Sequence, residues 1–227
     1  MPGAAIGRVA LTPEFAEHLA SRLAALRAEL AAMLPQPRAI VLEIGCGHGH
    51  FLERYATEFP EKFCVGVDFS GDRINRAQRK AHRAGLPNCQ FVRAEAREFL
   101  ACLPPGVTFQ EIWVLFPDPW PKKRHHKNRL MQPGFLERVA DRTGEGARLY
   151  FRTDHAEYFS AAEEFMPSLS TWRRADQPDW PLEHETVFQA RADGYQSLVA
   201  VRTSHPAKPI GTAEPILPAP TDPTSSA

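Results

Sequence analysis

The chain has 227 residues, of which 43% are hydrophobic and 24% charged, and its 27 lysines and arginines balance its 27 aspartates and glutamates. This composition excludes a wholly disordered, collagen-like or membrane-spanning chain. Because the net charge is zero, any nucleic-acid partner must be held by a local basic patch. The sequence has no signal-peptide pattern, and its four cysteines match neither metal pairs nor a disulfide framework, so we expect a soluble cytoplasmic protein with reduced thiols.

In chain order, the first predicted element is a helix from Thr12 to Leu34. Thr12 is a favourable N-cap residue, and Pro13 suits the first helical position. Two prolines, Pro35 and Pro37, end the helix. One face carries the apolar side chains of Phe15, Leu19, Leu23, Leu26 and Leu30.

Short apolar runs then alternate with helical patterns, which is typical of an open, doubly wound and mostly parallel sheet of an α/β protein. Two later runs, Glu185–Arg191 and Tyr195–Arg202, are joined by a turn that contains Asp193 and Gly194 and predict an antiparallel hairpin at the edge of a seven-stranded sheet. The other predicted strands are Ala39–Ile44, Phe63–Val67, Cys89–Arg93, Glu111–Phe116 and Arg148–Arg152. The predicted helices between them are Phe51–Phe59, Asp72–Ala84, Arg97–Leu103, Phe135–Arg142 and Ala156–Phe165.

These patterns divide the chain into three parts. Residues 1–37 hold the N-terminal helix, and residues 38–203 form the α/β domain. The 25 residues from Thr203 onward contain six prolines and few large apolar side chains. We therefore predict that residues 204–227 are a disordered tail, because they cannot bury enough surface to become ordered.

A glycine-containing segment follows the first strand and leads into a helix. Its glycines, Gly45 and Gly47 among them, allow a tight turn and the close approach of a ligand to the backbone. Asp68 ends the next strand, where an acid would reach a ribose, and Glu95 ends the third strand, near an adenine edge. Glu43 stands beside the loop, and a carboxylate is electrostatically unfavourable next to a pyrophosphate. The segment therefore favours S-adenosylmethionine, which is cationic, over a dinucleotide, although the latter stays open.

A second segment, Phe116–Arg129, combines an acid with a basic run after the fourth strand. Three prolines stiffen the surroundings of Asp118 and Trp120, and Trp120 is either a base-stacking residue or a packing residue. Residues 122–129 contain five lysines or arginines, two histidines and no acid. In an open α/β sheet this loop lies at the ligand-binding edge. A phosphate-binding role is therefore favoured over an ordinary solvated loop, and no metal site is expected from His125 and His126.

The segment FPDPWPKKRHHKNR, together with EIGCGHG, resembles the bacterial tRNA (guanine-N7-)-methyltransferase family, which has a class I S-adenosylmethionine-dependent, Rossmann-like fold. The resemblance covers about Arg38 to Arg202. It implies methylation of N7 of a guanine in the tRNA variable loop, at tRNA position 46. It also implies S-adenosylmethionine as cofactor and tRNA as partner. From the sequence itself we expect no membrane and no metal, and we expect a monomer or a homodimer.

The resemblance also implies roles for individual residues. Asp118 matches the proposed catalytic acid of the family. The residues expected to bind the cofactor are Glu43, Gly45, Gly47, Asp68, Glu95, Ala96 and Asp118. Those expected to bind the substrate are Lys122, Arg124, His125, Lys127, Arg129, Asp154, Thr186, Phe188 and Gln189.

Three positions depart from the family pattern. Asp68 and Glu95 exchange the usual Glu and Asp, so both acids persist with altered reach. Gln189 replaces a Glu of the substrate motif and can accept a hydrogen bond but carries no charge. Two other hypotheses therefore stay open: a paralogue that methylates a heteroaromatic nitrogen of a small molecule, and a non-catalytic RNA-binding or partner module.

Overall fold

The computed structural model describes residues 12–176, 179–184 and 189–207, and it shows one long helix followed by alternating strands and helices. The α-helices are α1 (Pro13–Met33), α2 (His50–Glu58), α3 (Gly71–Arg83), α4 (Ala96–Cys102), α5 (Pro133–Ala140) and α6 (Ala156–Phe165). The strands are β1 (Arg38–Ile44), β2 (Cys64–Asp68), β3 (Cys89–Arg93), β4 (Val107–Leu115), β5 (Thr143–Thr153), β6 (Trp172–Arg174) and β7 (Gln196–Arg202). Short 3-10 helices span Lys123–Asn128, Met166–Ser168 and Gln189–Arg191.

The seven strands form one sheet in the order β3-β2-β1-β4-β5-β7-β6. All neighbours are parallel except β7, which runs antiparallel to both β5 and β6. The strand order reverses between β1 and β4, and this is the place where open α/β sheets bind ligands at the carboxyl ends of their strands. The predicted α/β class and the seven-stranded, mostly parallel sheet are confirmed.

The antiparallel edge differs in detail from the predicted hairpin. The second predicted strand is present as β7, but Gln189–Arg191 forms a 3-10 helix, so the prediction of a strand there is wrong; residues 185–188 lie outside the described residues. The edge partner of β7 is instead β6. This strand has only three residues, too few to show an alternating pattern. Trp172 fixes it, because its buried indole donates to the carbonyl of Leu136 at 3.0 Å.

Each face of the sheet has its own core, because alternate residues of a strand point to opposite faces. Ile40 and Leu42 of β1 pack into the cluster that includes side chains of α1, α4, α5 and α6. Val41 belongs to the opposite cluster, with side chains of α2 and α3. That second face is rich in aromatic rings, and Trp113 stacks on Tyr150 with ring centroids 3.9 Å apart.

Helix α1 packs against α4, on the face of the sheet that holds Ile40 and Leu42. Leu23, Leu26 and Leu30 are buried, and Arg22 forms an ion pair with the buried Glu98. The Thr12 hydroxyl accepts from the amide of Phe15 at 3.3 Å, as expected for an N-cap. The predicted helix is therefore confirmed, while the division of the chain at residues 37 and 203 stays a prediction.

Candidate cofactor and acceptor site

The loop between β1 and α2 holds three glycines that have different tasks. Gly45 and Gly47 have φ angles of 75° and 54°, and a Cβ atom at either position would meet nothing within 4 Å. Their backbone therefore presents an open face to a ligand. At Gly49, by contrast, a Cβ would lie 2.5 Å from Cζ of Phe91 and 2.9 Å from Cβ of Ala77. Gly49 thus lets α2 pack closely on the sheet.

Two buried carboxylates stand beneath the glycine loop. Asp68 is 4% exposed, and it accepts hydrogen bonds from the amides of Gly47 at 3.1 Å and Ser70 at 2.8 Å. Glu43 is equally buried, but its Oε2 has no hydrogen-bond partner. Burial, helped by the Asp68 charge and opposed by a backbone hydrogen bond from Leu52, raises the pKa of Glu43 to about 8. The Glu43 carboxyl group therefore needs a nearby cation if it is to be ionised.

Glu95 has a structural task that the sequence interpretation missed. Its side chain caps α4 by accepting from the amides of Arg97 at 2.7 Å and Glu98 at 3.2 Å. Burial raises the pKa of Glu95, against the lowering effects of the Arg97 charge and of these hydrogen bonds. Ala96 is the first residue of the helix and is half-buried. A signal for the cap exists in the sequence, because an acid also stands at the third helical position, as in a capping box.

The proline-rich loop after β4 is held in a strained conformation. Phe116 and Trp120 have positive φ angles of 49° and 44°, which cost non-glycine residues about 1–3 kcal/mol each. The amide of Phe116 donates to the carbonyl of Arg152 at 2.8 Å, which attaches the loop to β5. The Trp120 ring lies edge-on to His125, with centroids 5.8 Å apart. Between these two fixed points, Asp118 is exposed.

Arg129 lies beneath this loop. It is 2% exposed, and its Nε donates to the carbonyl of Pro119 at 2.8 Å. The guanidinium also lies over the Tyr158 ring, 4.9 Å from its centroid, and 3.9 Å from Glu157. Its expected contact with RNA stays a prediction, but in this structure the side chain supports the loop that carries Asp118.

The remaining cations of the basic run project from a 3-10 helix. Lys122, Lys123, Arg124 and Lys127 are exposed, whereas the two histidines are half-buried. His126 lies 3.6 Å from Glu157. In the part of the chain that the structure describes, no group of three or more His, Cys, Asp or Glu side chains is placed to hold a metal ion. The exposed part of the run is therefore four positive charges that follow Asp118 in the same loop and 3-10 helix.

A buried arginine, Arg152 at the end of β5, organises the other side of the site. It donates to both carboxylate oxygens of Glu183 at 3.0 and 2.9 Å, to Gln189 Oε1 at 3.1 Å and to Ser197 at 2.8 Å. Its guanidinium lies between the rings of Trp180 and Tyr195, at 4.0 and 4.5 Å. We call this set, Arg152, Trp180, Glu183, Gln189, Tyr195 and Ser197, the Arg152 cluster.

The structure brings most predicted site residues to one edge of the sheet. The glycine loop, Asp68, Glu95, the Asp118 loop and the exposed Asp154 all follow the carboxyl ends of β1 to β5 in space. Gln189 lies within the Arg152 cluster, while Thr186 and Phe188 lie outside the described residues. Phe69, which is 59% exposed directly after Asp68, was not singled out from the sequence. The pattern of an aromatic residue that follows a strand-ending acid could have identified it.

Known proteins are similar to this chain over most of its length. The model of a family described as "Putative methyltransferase" matches residues 37–197. The tRNA (guanine-N(7)-)-methyltransferase of Halorhodospira halophila is 39% identical over 159 residues, which cover 66% of this chain and 68% of that protein. The enzyme of the same name from Geobacter metallireducens is 34% identical over 152 residues, covering 67% and 72% respectively.

Solved structures agree on the fold. The 16S rRNA methyltransferase KamB superposes with a TM-score of 0.55 at 23% identity, covering 78% of this chain and 93% of that one. A mutant of the 16S rRNA (adenine(1408)-N(1))-methyltransferase from Catenulisporales acidiphilia, solved with its cosubstrate SAM, gives 0.54 at 20% identity, covering 81% and 94%. At these identities the likeness concerns the fold alone.

Among the described residues, no helix has the length and apolar character needed to cross a membrane.

Proposed function

We propose a function from one premise: the chain belongs to the methyltransferase family whose model matches residues 37–197. Like the curated relatives named tRNA (guanine-N(7)-)-methyltransferase, it uses S-adenosylmethionine to methylate N7 of a guanine in tRNA. One observation carries this proposal beyond sequence similarity. An open glycine loop over a buried carboxyl group with one unpartnered oxygen shares a sheet edge with the exposed Asp118 carboxylate and the four exposed cations that follow it in the chain.

The residues of the loop fit this cofactor. Its ammonium and sulfonium groups supply the positive charge that a buried Glu43 carboxylate requires, and Glu43 Oε2 has no other partner. Gly45 and Gly47 leave space for close approach to the backbone. Asp68 stands where it can accept from ribose hydroxyls, and the exposed ring of Phe69 offers an apolar surface for adenine. When bound, the cofactor supplies an electrophilic methyl group on a sulfonium centre.

Asp118 orients the acceptor base in this proposal. Guanine N7 carries an unprotonated lone pair, so no general base is required for its attack on a methyl group. The methylated base becomes positively charged, and a carboxylate nearby can stabilise that charge or hold the N–H edge so that N7 lies in line. The strained backbone at Phe116 and Trp120, with Arg129 beneath it, supports Asp118 in one position.

The exposed cations hold the RNA backbone. Lys122, Arg124 and Lys127 project on one 3-10 helix and its flank, with His125 half-buried between them. Phosphate binding by about four cations would make binding salt-sensitive, with a slope of roughly −3 to −4 in log K against log salt. Asp154, exposed after β5, and Gln189 would contact the base or the adjacent nucleotides. We propose the variable loop, at tRNA position 46, as the target.

The test is methyl transfer from labelled S-adenosylmethionine to unmodified tRNA, with the site mapped by strand cleavage at N7-methylguanosine. We expect one modified guanine in the variable loop. Asp118→Asn should lower turnover by about 100-fold or more, the range seen when one preorganised transition-state contact is removed. Asp141→Asn is the matched control, because Asp141 is exposed and lies between α5 and the first part of β5, at the opposite edge of the sheet.

Two outcomes would contradict the proposal. Normal turnover by Asp118→Asn would remove this residue from the mechanism. Cofactor binding without any labelled tRNA would remove tRNA as the substrate and favour methylation of a heteroaromatic nitrogen in a small molecule, the reaction that the uncharged Gln189 leaves open.

A further inference from the structure

Tyr195 is an exposed aromatic residue that directly precedes β7, at the ligand-binding edge of the sheet. Because β7 alone runs antiparallel in the sheet, its first residue, Gln196, pairs with Thr153, the last residue of β5. Tyr195 immediately precedes Gln196 and is 43% exposed. It therefore stands at the carboxyl edge of the parallel strands, beside the loop that bears Asp118.

Three contacts fix the orientation of this ring. The Arg152 guanidinium lies 4.5 Å from the ring centroid, and the Phe116 ring meets it edge-on with centroids 6.1 Å apart. The Tyr195 hydroxyl accepts from Gln189 Nε2 at 3.2 Å. Arg152 is itself immobilised by the bidentate ion pair with Glu183. An exposed ring held in this way is preorganised to bind, since little side-chain entropy is left to lose.

Few other side chains offer such a surface. Among the described residues, three large hydrophobic side chains are more than a third exposed: Phe15, Phe69 and Tyr195. Phe15 lies on α1, and Phe69 follows Asp68 on the cofactor side. Tyr195 is the member of this set that contacts Phe116, two residues before Asp118. The acceptor side of the site therefore has one exposed aromatic surface in the described chain.

We propose that Tyr195 stacks on the acceptor base and thereby positions it for methylation. The inference rests on the proposed function and adds the residue that holds the plane of the base. Stacking suits a flat heteroaromatic acceptor, and an electron-rich ring favours a base that gains positive charge during the reaction. The bidentate carboxylate of Glu183 balances the charge of Arg152, so the ring is not left facing an uncompensated cation.

The experiment compares Tyr195→Phe, Tyr195→Trp and Tyr195→Leu with the wild-type chain, using unmodified tRNA and S-adenosylmethionine. Base stacking on an aromatic residue corresponds to about 5- to 150-fold in affinity or rate. We expect Tyr195→Leu to lower kcat/KM for tRNA within that range, whereas the KM for S-adenosylmethionine stays unchanged. The Phe and Trp variants should stay within about 3-fold of wild type, because both keep a ring. Phe15→Leu is the control, since it removes an exposed ring on α1, outside the site.

The possible results distinguish a failure of this inference from a failure of the proposed function. If the wild-type chain labels no tRNA, the proposed function fails, and this inference fails with it. If the wild type is active and Tyr195→Leu matches it, the inference alone fails. An equal loss in the Phe and Leu variants would also overturn it, because the hydroxyl bond to Gln189 would then matter instead of the ring. Thermal unfolding of each variant detects a folding defect. Stacking is also contradicted if the activities of the variants rank by melting temperature and not by the presence of a ring at position 195.

Discussion

Glu43→Gln is the sharpest test of the buried carboxyl pair. In the cofactor-free protein the pKa of Glu43 is raised from 4.5 to about 8, so the folded chain holds a proton there that the unfolded chain has lost at neutral pH. Stability from this group is fully present below pH 4.5 and is lost as the pH rises to about 8. Glutamine keeps the shape of the side chain but does not titrate.

The size of the effect follows from the pKa difference. At ~1.36 kcal/mol for each pKa unit, a rise from 4.5 to about 8 corresponds to about 5 kcal/mol of destabilisation above pH 8. The free energy of unfolding of Glu43→Gln, relative to wild type, should therefore increase by about 4 kcal/mol between about pH 5 and about pH 9, since part of the full effect falls below pH 5. Urea unfolding across this range, without cofactor, measures it. The control is Glu58→Gln, an exposed position on α2.

Cofactor binding should reverse this behaviour. A cation beside Glu43 favours the ionised carboxylate, so binding at pH 7 should release about one proton, because a group with a pKa of about 8 is mostly neutral at pH 7. Titration calorimetry with S-adenosylmethionine in buffers of different ionisation enthalpy counts these protons. Proton release should disappear in Glu43→Gln. Parallel stability curves for the two proteins, or equal proton release, would refute the assignment of the raised pKa to Glu43.

Two further predictions concern the basic run and the glycine loop. Replacing Arg124 and Lys127 with alanine should flatten the salt slope of tRNA binding by about 2, whereas Arg129→Met should leave that slope unchanged and lower kcat, because Arg129 is buried beneath the Asp118 loop. Filter binding at several salt concentrations decides this, and an unchanged slope in the double variant would make the run an ordinary solvated loop. Alanine at Gly47 or at Gly49 carries the cost of a positive φ. A Cβ at Gly47 meets only open space, so Gly47→Ala should mainly weaken cofactor binding, whereas Gly49→Ala should lose more stability through contact with Phe91. Melting temperature and cofactor Kd separate the two, and equal melting temperatures would contradict the packing role of Gly49.

The elements and the composition of the site could be predicted from the sequence wherever the information is local. Apolar runs of strand length, followed by Gly45, Asp68 or Asp118, predict both a strand and a functional residue at its end. Parallel strands then collect these ends on one edge for topological reasons, whatever the packing details. Glu43, Asp68 and the basic run could therefore be assigned to one edge of the sheet from the sequence pattern.

What each side chain does at that edge depends on the tertiary structure. Glu95 serves as a helix cap, and Arg129 supports a loop from beneath, because each found a partner fixed by the fold. The strand predicted at Gln189–Arg191 is a 3-10 helix whose first residue bonds to Arg152. Arg152 and Glu183 are 31 residues apart, and no periodicity relates them. Hydrogen bonds and ring contacts between distant residues depend on how the chain brings them together, and a local pattern carries no information about that.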